Sequence, residues 1–244
     1  MATNPMHQFE VYKIGPEINL GGVNLSFTNA SLFMTISSVL ILLLLFFGTK
    51  KKSLIPSKIQ FITEMSYTFI AKMINDTAGS NAKSFFPFIF TLFMFVLFAN
   101  MVGMLPYSFT VTSHIVVTFV LAAIVFIGVT ILGFVKHGFK YLELFVPKGV
   151  PIVLLPLIVI IEIISYLSRP VSLSVRLFAN MMAGHTMLKV FGGFVISLGL
   201  LGGWLPLGFS VALTGLEILV AFLQAYVFAI LTCIYLNDAL NLHH

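Results

Sequence analysis

The chain has 244 residues, of which 59% are apolar and only 9% are Asp, Glu, Lys or Arg. A typical soluble domain carries roughly 25% charged residues, so a water-soluble globule of this length could not cover its surface with so few. Thirteen basic against eight acidic residues give a net charge of +5, but the basic ones cluster between long apolar runs, where they act as topology signals rather than as a nucleic-acid footprint. The single cysteine, Cys233, excludes an internal disulfide. The apolar runs are long and do not alternate, so the expected fold class is an all-α integral membrane protein rather than a β-barrel.

Residues 1–29 are polar and mixed and read as an extramembrane N-terminal tail. Residues 30–48 form the first transmembrane helix, close to the ~20 residues that a bilayer requires. Lys50, Lys51 and Lys52 follow at once. The positive-inside rule puts them on the inner side and the N-terminus outside. Residues 53–83 are interrupted by Lys58, Glu64, Lys72, Asp76 and Lys83, which excludes a span. Yet Ile55, Ile59, Ile62, Phe69 and Met73 recur at helical spacing, so an amphipathic helix on the inner surface is expected. Residues 85–135 hold two further spans, 85–105 closed by Pro106, and 111–135 followed by Lys136, Lys140 and Lys148. Two crossings bring these lysines back to the side of the first cluster.

Between residues 149 and 236 only five formal charges occur: Glu162, Arg169, Arg176, Lys189 and Glu217. Gly199, Gly202, Gly203 and Pro206 divide this stretch unequally. The longer part would run on the order of 75 Å as a helix, against a ~30 Å hydrocarbon core. It is therefore either bent at Gly192 and Gly193 or strongly tilted. Residues 149–244 are expected as two long apolar segments, one of roughly 50 residues and one of roughly 30, on either side of the glycine-rich break.

On a helix, Glu162, Ser165, Arg169, Ser172, Arg176 and Asn180 fall at spacings of 3 and 4 and form one polar stripe on an otherwise apolar cylinder. Thr214, Glu217, Ala221 and Gln224 form a second, weaker one. His185, nine residues past Arg176, faces the opposite way, with Lys189 one turn further on. An arginine at the bilayer centre costs roughly 2.5–3.5 kcal/mol on insertion scales, so such a residue is functional by default. Arg169 can alternatively snorkel to an interface, since Pro170 follows it and marks a helix irregularity. Arginine holds a fixed positive charge and does not pass a proton on, whereas Glu162, His185 and Glu217 titrate. A fixed cation flanked by titratable groups makes a proton path with a barrier in it. No enzyme, cofactor or metal signature is present. Gly133-Phe-Val-Lys-His-Gly138 begins like a phosphate-binding loop, but Phe139 stands where the lysine is required.

Arg176-Leu-Phe-Ala-Asn-Met-Met-Ala-Gly-His185 resembles the subunit a family of F-type rotary ATP synthases. So do Ser108-Phe-Thr-Val-Thr-Ser113, Glu162-Ile-Ile-Ser-Tyr166, Leu213-Thr-Gly-Leu-Glu217, Gln224-Ala-Tyr-Val-Phe228 and Tyr235-Leu-Asn-Asp238. The resemblance covers most of the chain and is nearest to mitochondrial and alphaproteobacterial members. It implies the stator half of a proton channel, with ATP chemistry in other subunits and no cofactor, and it implies residues 149–244 as a hairpin of two long, strongly tilted, near-horizontal membrane helices. Arg176 matches the essential arginine that faces the carboxylate of the rotating c-ring, with Asn180, Gln224 and Ser172 as polar residues beside it. His185 and Glu217 match the outer half-channel, in the mitochondrial order. Glu162, with Ser172, matches the inner half-channel, and Arg169 is a supporting charge. Ala179, Ala183 and Gly184 are small enough for a ring helix to approach closely. The implied partners are the c-ring, subunit b and the peripheral stalk, the other ATP synthase subunits and membrane lipid. The implied location is an energy-transducing inner membrane, bacterial or mitochondrial, with the C-terminus inside. Two rivals make different expectations. A proton-coupled secondary transporter requires an internal repeat and a midplane solute pocket. A scaffold subunit would leave Arg176 dispensable for proton flux.

Overall fold

The structure, a computed structural model, describes residues 9–15, 19–20, 23–24, 26–50, 55–105, 108–146 and 154–241. Lys51, Lys52, Pro106 and Lys148 lie outside the described residues. Six long helices dominate: α1 Asn29–Lys50, α2 Lys58–Ala78, α3 Phe86–Gly103, α4 Ile115–His137, α5 Leu155–Gly202 and α6 Trp204–Leu240. Ahead of α1 the chain makes a small antiparallel pair, β1 Asn19–Leu20 with β2 Val23–Asn24, and a bridge between Lys13 and Thr28. The chain is an all-α integral membrane protein. Five of its helices, all but α2, are long and apolar enough to cross a bilayer. Large apolar side chains also point outward, among them Leu42, Phe46, Val116, Ile124, Ile131 and Ile164. Lipid, not water, is the solvent that such a surface suits.

Hydroxyls on these helices are satisfied locally. Ser37, Ser38 and Thr49 each donate to the carbonyl four residues back, as does Thr130 on α4. In hydrocarbon an unbonded hydroxyl is costly, and a helix offers its own carbonyls.

The α2 helix starts at Ser57, whose side chain accepts from the Gln60 backbone N–H. Its apolar residues do not all share one face. Ile59 and Ile62 point outward, whereas Met73 is buried together with Ile70, Ile74 and Ala78. The buried positions of the first half are Gln60 and Thr63, and Thr63 lies against Gly48 of α1, where no side chain would fit. The second half supplies the core. Phe69 there meets Phe93 of α3 at 5.9 Å and Tyr226 of α6 at 5.7 Å between ring centres. The core continues through Ile89, Met94 and Val96 of α3, Val125 of α4, Leu173, Leu177 and Met181 of α5, and Phe228 and Cys233 of α6.

The longest helix, α5, has 48 residues and contains Pro170, which leaves the Tyr166 carbonyl without its usual partner. Helical geometry runs unbroken through Gly192 and Gly193 and fails at Gly199, where φ is 62°. The break therefore sits at a glycine in a left-handed conformation, inside the cluster that divides the stretch in the sequence, and the bend considered at Gly192 and Gly193 does not occur. The uninterrupted rod, Leu155–Gly199, has 45 residues. At about 1.5 Å per residue it is more than twice as long as a bilayer core is thick.

Candidate functional site

One helix, α5, carries chemistry on two faces. Its inward face is set by four-residue spacing: Leu173, Leu177 and Met181 are fully buried, and His185 follows on the same line. Arg176 lies off this line and is exposed, together with Ser172, Val175, Ala179, Asn180 and Ala183. The fixed charge and the titratable ring thus point in different directions from a single rod.

His185 is buried between two elements. Its Nδ1 is 3.2 Å from Oε1 of Glu217 on α6. Its Nε2 is 2.9 Å from Oγ1 of Thr110, in the segment that precedes α4. Glu217 is itself 5% exposed, so the pair is shielded on both sides. Gly184 makes room for it: a methyl group there would stand 2.7 Å from Glu217 Oε1. Gly184 therefore serves the contact between α5 and α6, whereas Ala179 and Ala183 remain on the open face. The second polar stripe also turns inward. Thr214 is exposed, but Glu217, Ala221 and Gln224 are buried, and the Ala221 carbonyl accepts from Asn100 Nδ2 of α3 at 3.2 Å.

Asn180 Nδ2 donates to Gln224 Oε1 at 2.9 Å, one turn beyond Arg176. This bond ties the exposed face of α5 to the buried stripe of α6. Gln224 Nε2, Asn100 Oδ1, Thr112 Oγ1 and both carboxylate oxygens of Glu217 are buried without a hydrogen-bond partner in the protein, Oε1 meeting His185 Nδ1 only as an ion-pair contact. Buried polar atoms of this kind bind water where there is room for it.

At the other end of α5, Arg169 Nη1 donates to Asp238 Oδ2 of α6 at 3.1 Å. The guanidinium lies between two rings, 5.3 Å from Tyr166 and 5.0 Å from Tyr235. Arg169 is thus paired inside the protein, which argues against a snorkelling role. The Tyr166 hydroxyl contacts Thr130 Oγ1 at 2.6 Å and the Tyr141 hydroxyl at 3.1 Å. Glu162, two turns before Arg169, is half-buried, and Ser165 is exposed. Lys136 Nζ donates to the Leu240 carbonyl at 3.0 Å, and His137 Nε2 lies 3.3 Å from the same oxygen. The end of α4 so caps the end of α6.

The two ends of the molecule are chemically distinct. Thr110 precedes α4, and Lys136 and His137 close it. The 23 residues of α4 span about 34 Å. His185, Glu217 and Thr110 therefore sit towards the start of α4, and the Arg169–Asp238 pair towards its end.

Sequence reasoning singled out Arg176, Asn180, Gln224, His185 and Glu217, and the structure joins Asn180 to Gln224 and His185 to Glu217. It brings neither Glu162 nor Ser172 into contact with those pairs. It adds Thr110 and Asp238. Asp238 had one signal: a lone acid late in an apolar segment needs a cation, and Arg169 needed an anion. Among the described residues no group of three or more His, Cys, Asp or Glu is arranged to hold a metal ion.

The sequence model of the family described as ATP synthase A chain matches residues 31–237. The chain is 78% identical over 244 residues to ATP synthase subunit a of Pelagibacter ubique, covering all of both chains. It is 61% identical over 250 residues to ATP synthase subunit a of Chelativorans sp., again over all of both chains. It is also 61% identical over 247 residues to that of Rhizobium rhizogenes, covering 99% of this chain and 98% of the relative. With a membrane-spanning helical fold and this extent of similarity, the chain belongs to the ATP synthase A chain family.

Proposed function

We propose that this membrane subunit of an F-type ATP synthase is the stator half of its proton channel. It provides two half-channels, offset from each other, with Arg176 as the fixed charge between them. The observation that carries this reading is the division of α5 into two chemical faces. Arg176 is exposed on one, and the His185–Glu217 pair is buried on the other.

In this reading the exposed face of Ser172, Arg176 and Asn180 is turned towards a ring of c subunits, each bearing a carboxylate. Protons enter from the outer side through His185 and Glu217 and neutralise a ring carboxylate. The neutral site can then face lipid, and the ring turns. The proton leaves on the inner side near Glu162, with Arg169 and Asp238 holding the helices there. Arg176 stabilises the ionised carboxylate as it passes, and its charge opposes a direct proton leak between the half-channels. Each proton crossing releases about 2.3 kcal/mol per 100 mV.

Orientation follows from the basic residues. Lys136 and Lys140 lie at the end of α4 that also holds Leu240, and the positive-inside rule assigns that end to the cytoplasmic side of a bacterial plasma membrane. The His185 end is then outside, α2 lies along the inner surface, and α5 and α6 are strongly tilted. The other ATP synthase subunits, with subunit b and the peripheral stalk, hold this subunit against rotation.

The test is ATP-driven proton pumping in vesicles holding the assembled complex, wild type against Arg176→Ala, with assembly verified by pull-down. Pumping should vanish while assembly persists. Wild-type pumping by the variant would overturn the reading.

A further inference from the structure

Thr110 touches the outer pair, yet nothing so far gives it a task. Its hydroxyl lies 2.9 Å from His185 Nε2 and also donates to the Gly103 carbonyl at 3.1 Å. It is 4% exposed, and it is held tightly from both sides. A methyl group on Gly103 would come within 2.8 Å of the Thr110 side chain and 3.1 Å of its Cα. Ser113 Oγ donates to the Thr110 carbonyl at 2.6 Å, fixing the backbone.

A hydroxyl has one hydrogen and can also accept. When it donates to Gly103, it can only accept from His185, so Nε2 must carry a hydrogen. When Nε2 is bare, the hydroxyl must turn and donate to it. The Gly103 carbonyl then still has Ser108 Oγ, which donates to it at 2.9 Å. Both settings are therefore accommodated by this geometry.

We propose that Thr110 is a positioning residue of the outer proton pair: its hydroxyl reverses from donor to acceptor when His185 takes up a proton. This rests on the reading of His185 and Glu217 as the outer proton path. Before uptake, Nε2 accepts from Thr110 and Nδ1 carries its hydrogen on the side of the Glu217 carboxylate, 3.2 Å from Oε1. One proton from the outer aqueous phase then binds Nε2, and Thr110 swings to Gly103. The Nδ1 proton is now free to pass to Glu217 Oε1, leaving a neutral ring protonated at Nε2 and a neutral acid. The count balances: one proton enters, and one ends on Glu217. Throughout, the ring stays fixed between Thr110 and Glu217. Without the hydroxyl, Nε2 would be buried and unpaired in both ring states, as an unmet acceptor before uptake and an unmet donor after it. The charged groups acting on His185 are Glu217 from α6 and Lys189 from its own helix, while the Phe9 ring lies 6.5 Å away on the N-terminal side.

The experiment measures potential-driven proton flux through the assembled complex in vesicles as a function of outer pH. The variants are Thr110→Val, Thr110→Ser and Thr110→Cys, with His185→Ala as a reference. Thr110→Val keeps the shape and removes the hydroxyl. It should lower flux roughly tenfold, the effect of one lost hydrogen bond to a group that becomes charged, and should shift the outer-pH profile. Thr110→Ser should restore both rate and profile. If Thr110→Val does not assemble, the comparison passes to Thr110→Cys, a weak donor, which should fall below Thr110→Ser. A valine variant with wild-type rate and profile, or cysteine equal to serine, would overturn the proposal while loss of flux in His185→Ala leaves the outer path standing. Normal flux in His185→Ala would instead remove the path itself, and the role of Thr110 with it.

Discussion

Arg169 and Asp238, 69 residues apart in the chain, meet at 3.1 Å and join the first third of α5 to the last turn of α6. Their side chains are 22% and 35% exposed, so the pair is screened more than a buried one, and a coupling of about 1 kcal/mol is expected. Arg169 has further attachments in the Tyr166 and Tyr235 rings, each worth about 0.5–1 kcal/mol. Arg169→Ala should therefore destabilise more than Asp238→Ala. A double-mutant cycle, read by denaturant unfolding in micelles, should return the pair's ~1 kcal/mol as non-additivity.

Gly184 offers a sharper test of the His185–Glu217 pair. A methyl group there meets Glu217 Oε1 at 2.7 Å, and Glu217 sits against His185, which faces Thr110 on its other side. Overpacking of this kind costs about 1–3 kcal/mol. Gly184→Ala should keep the complex assembled but push Glu217 off His185, lowering ATP-driven pumping more than Ala183→Gly does. Equal pumping by the two variants would show that the helix contact is slack.

Gly133 faces the ring of Tyr141, which is buried and bonded through its hydroxyl to Tyr166. Gly133→Ala must displace that ring and disturb the Tyr141–Tyr166–Thr130 chain of hydroxyls. A loss of about 1–3 kcal/mol is expected, from overpacking. Tyr141→Phe, which keeps the ring and removes the oxygen, should lose about 1 kcal/mol. Thermal unfolding of both variants in micelles distinguishes crowding from the lost bond.

His114 precedes α4 as its N-cap residue, stacks on Phe109 at 4.9 Å, and has a buried Nε2 without a protein partner. Burial holds its pKa below the ordinary 6.5. The unfolded chain therefore takes up the proton first as pH falls, so stability contributed by the neutral ring is present above pH 6.5 and declines below it. His114→Phe, which preserves stacking, should flatten the fall in unfolding temperature between neutral and acid pH. An unchanged slope would place the acid sensitivity elsewhere.

What could be read from the sequence follows helical period. The stripe from Glu162 to Asn180 and the opposite orientation of His185 depend only on 3.6 residues per turn, and the structure keeps them on separate faces. The amphipathic pattern of α2 was legible as a helix, but not which half faced the core. That depends on Gly48 meeting Thr63 and on Phe69 meeting α3 and α6. Contacts between distant segments were the least legible. Thr110 reaches His185 across 75 residues, and no spacing rule encodes that distance. The break at Gly199 falls in the glycine cluster that divides this stretch in the sequence, whereas Gly192 and Gly193 stay helical.

The exposed position of Arg176 has a consequence for biogenesis. A newly inserted copy, before any ring is beside it, turns an arginine towards hydrocarbon at a cost of roughly 2.5–3.5 kcal/mol. Ala179 and Ala183 alongside are too small to shield it. In the proposed reading, a copy without its partners is a strained guest in its membrane. Docking against the carboxylates of the proposed ring would remove that strain. The same charge that would gate protons in the finished machine would penalise the subunit for existing outside it.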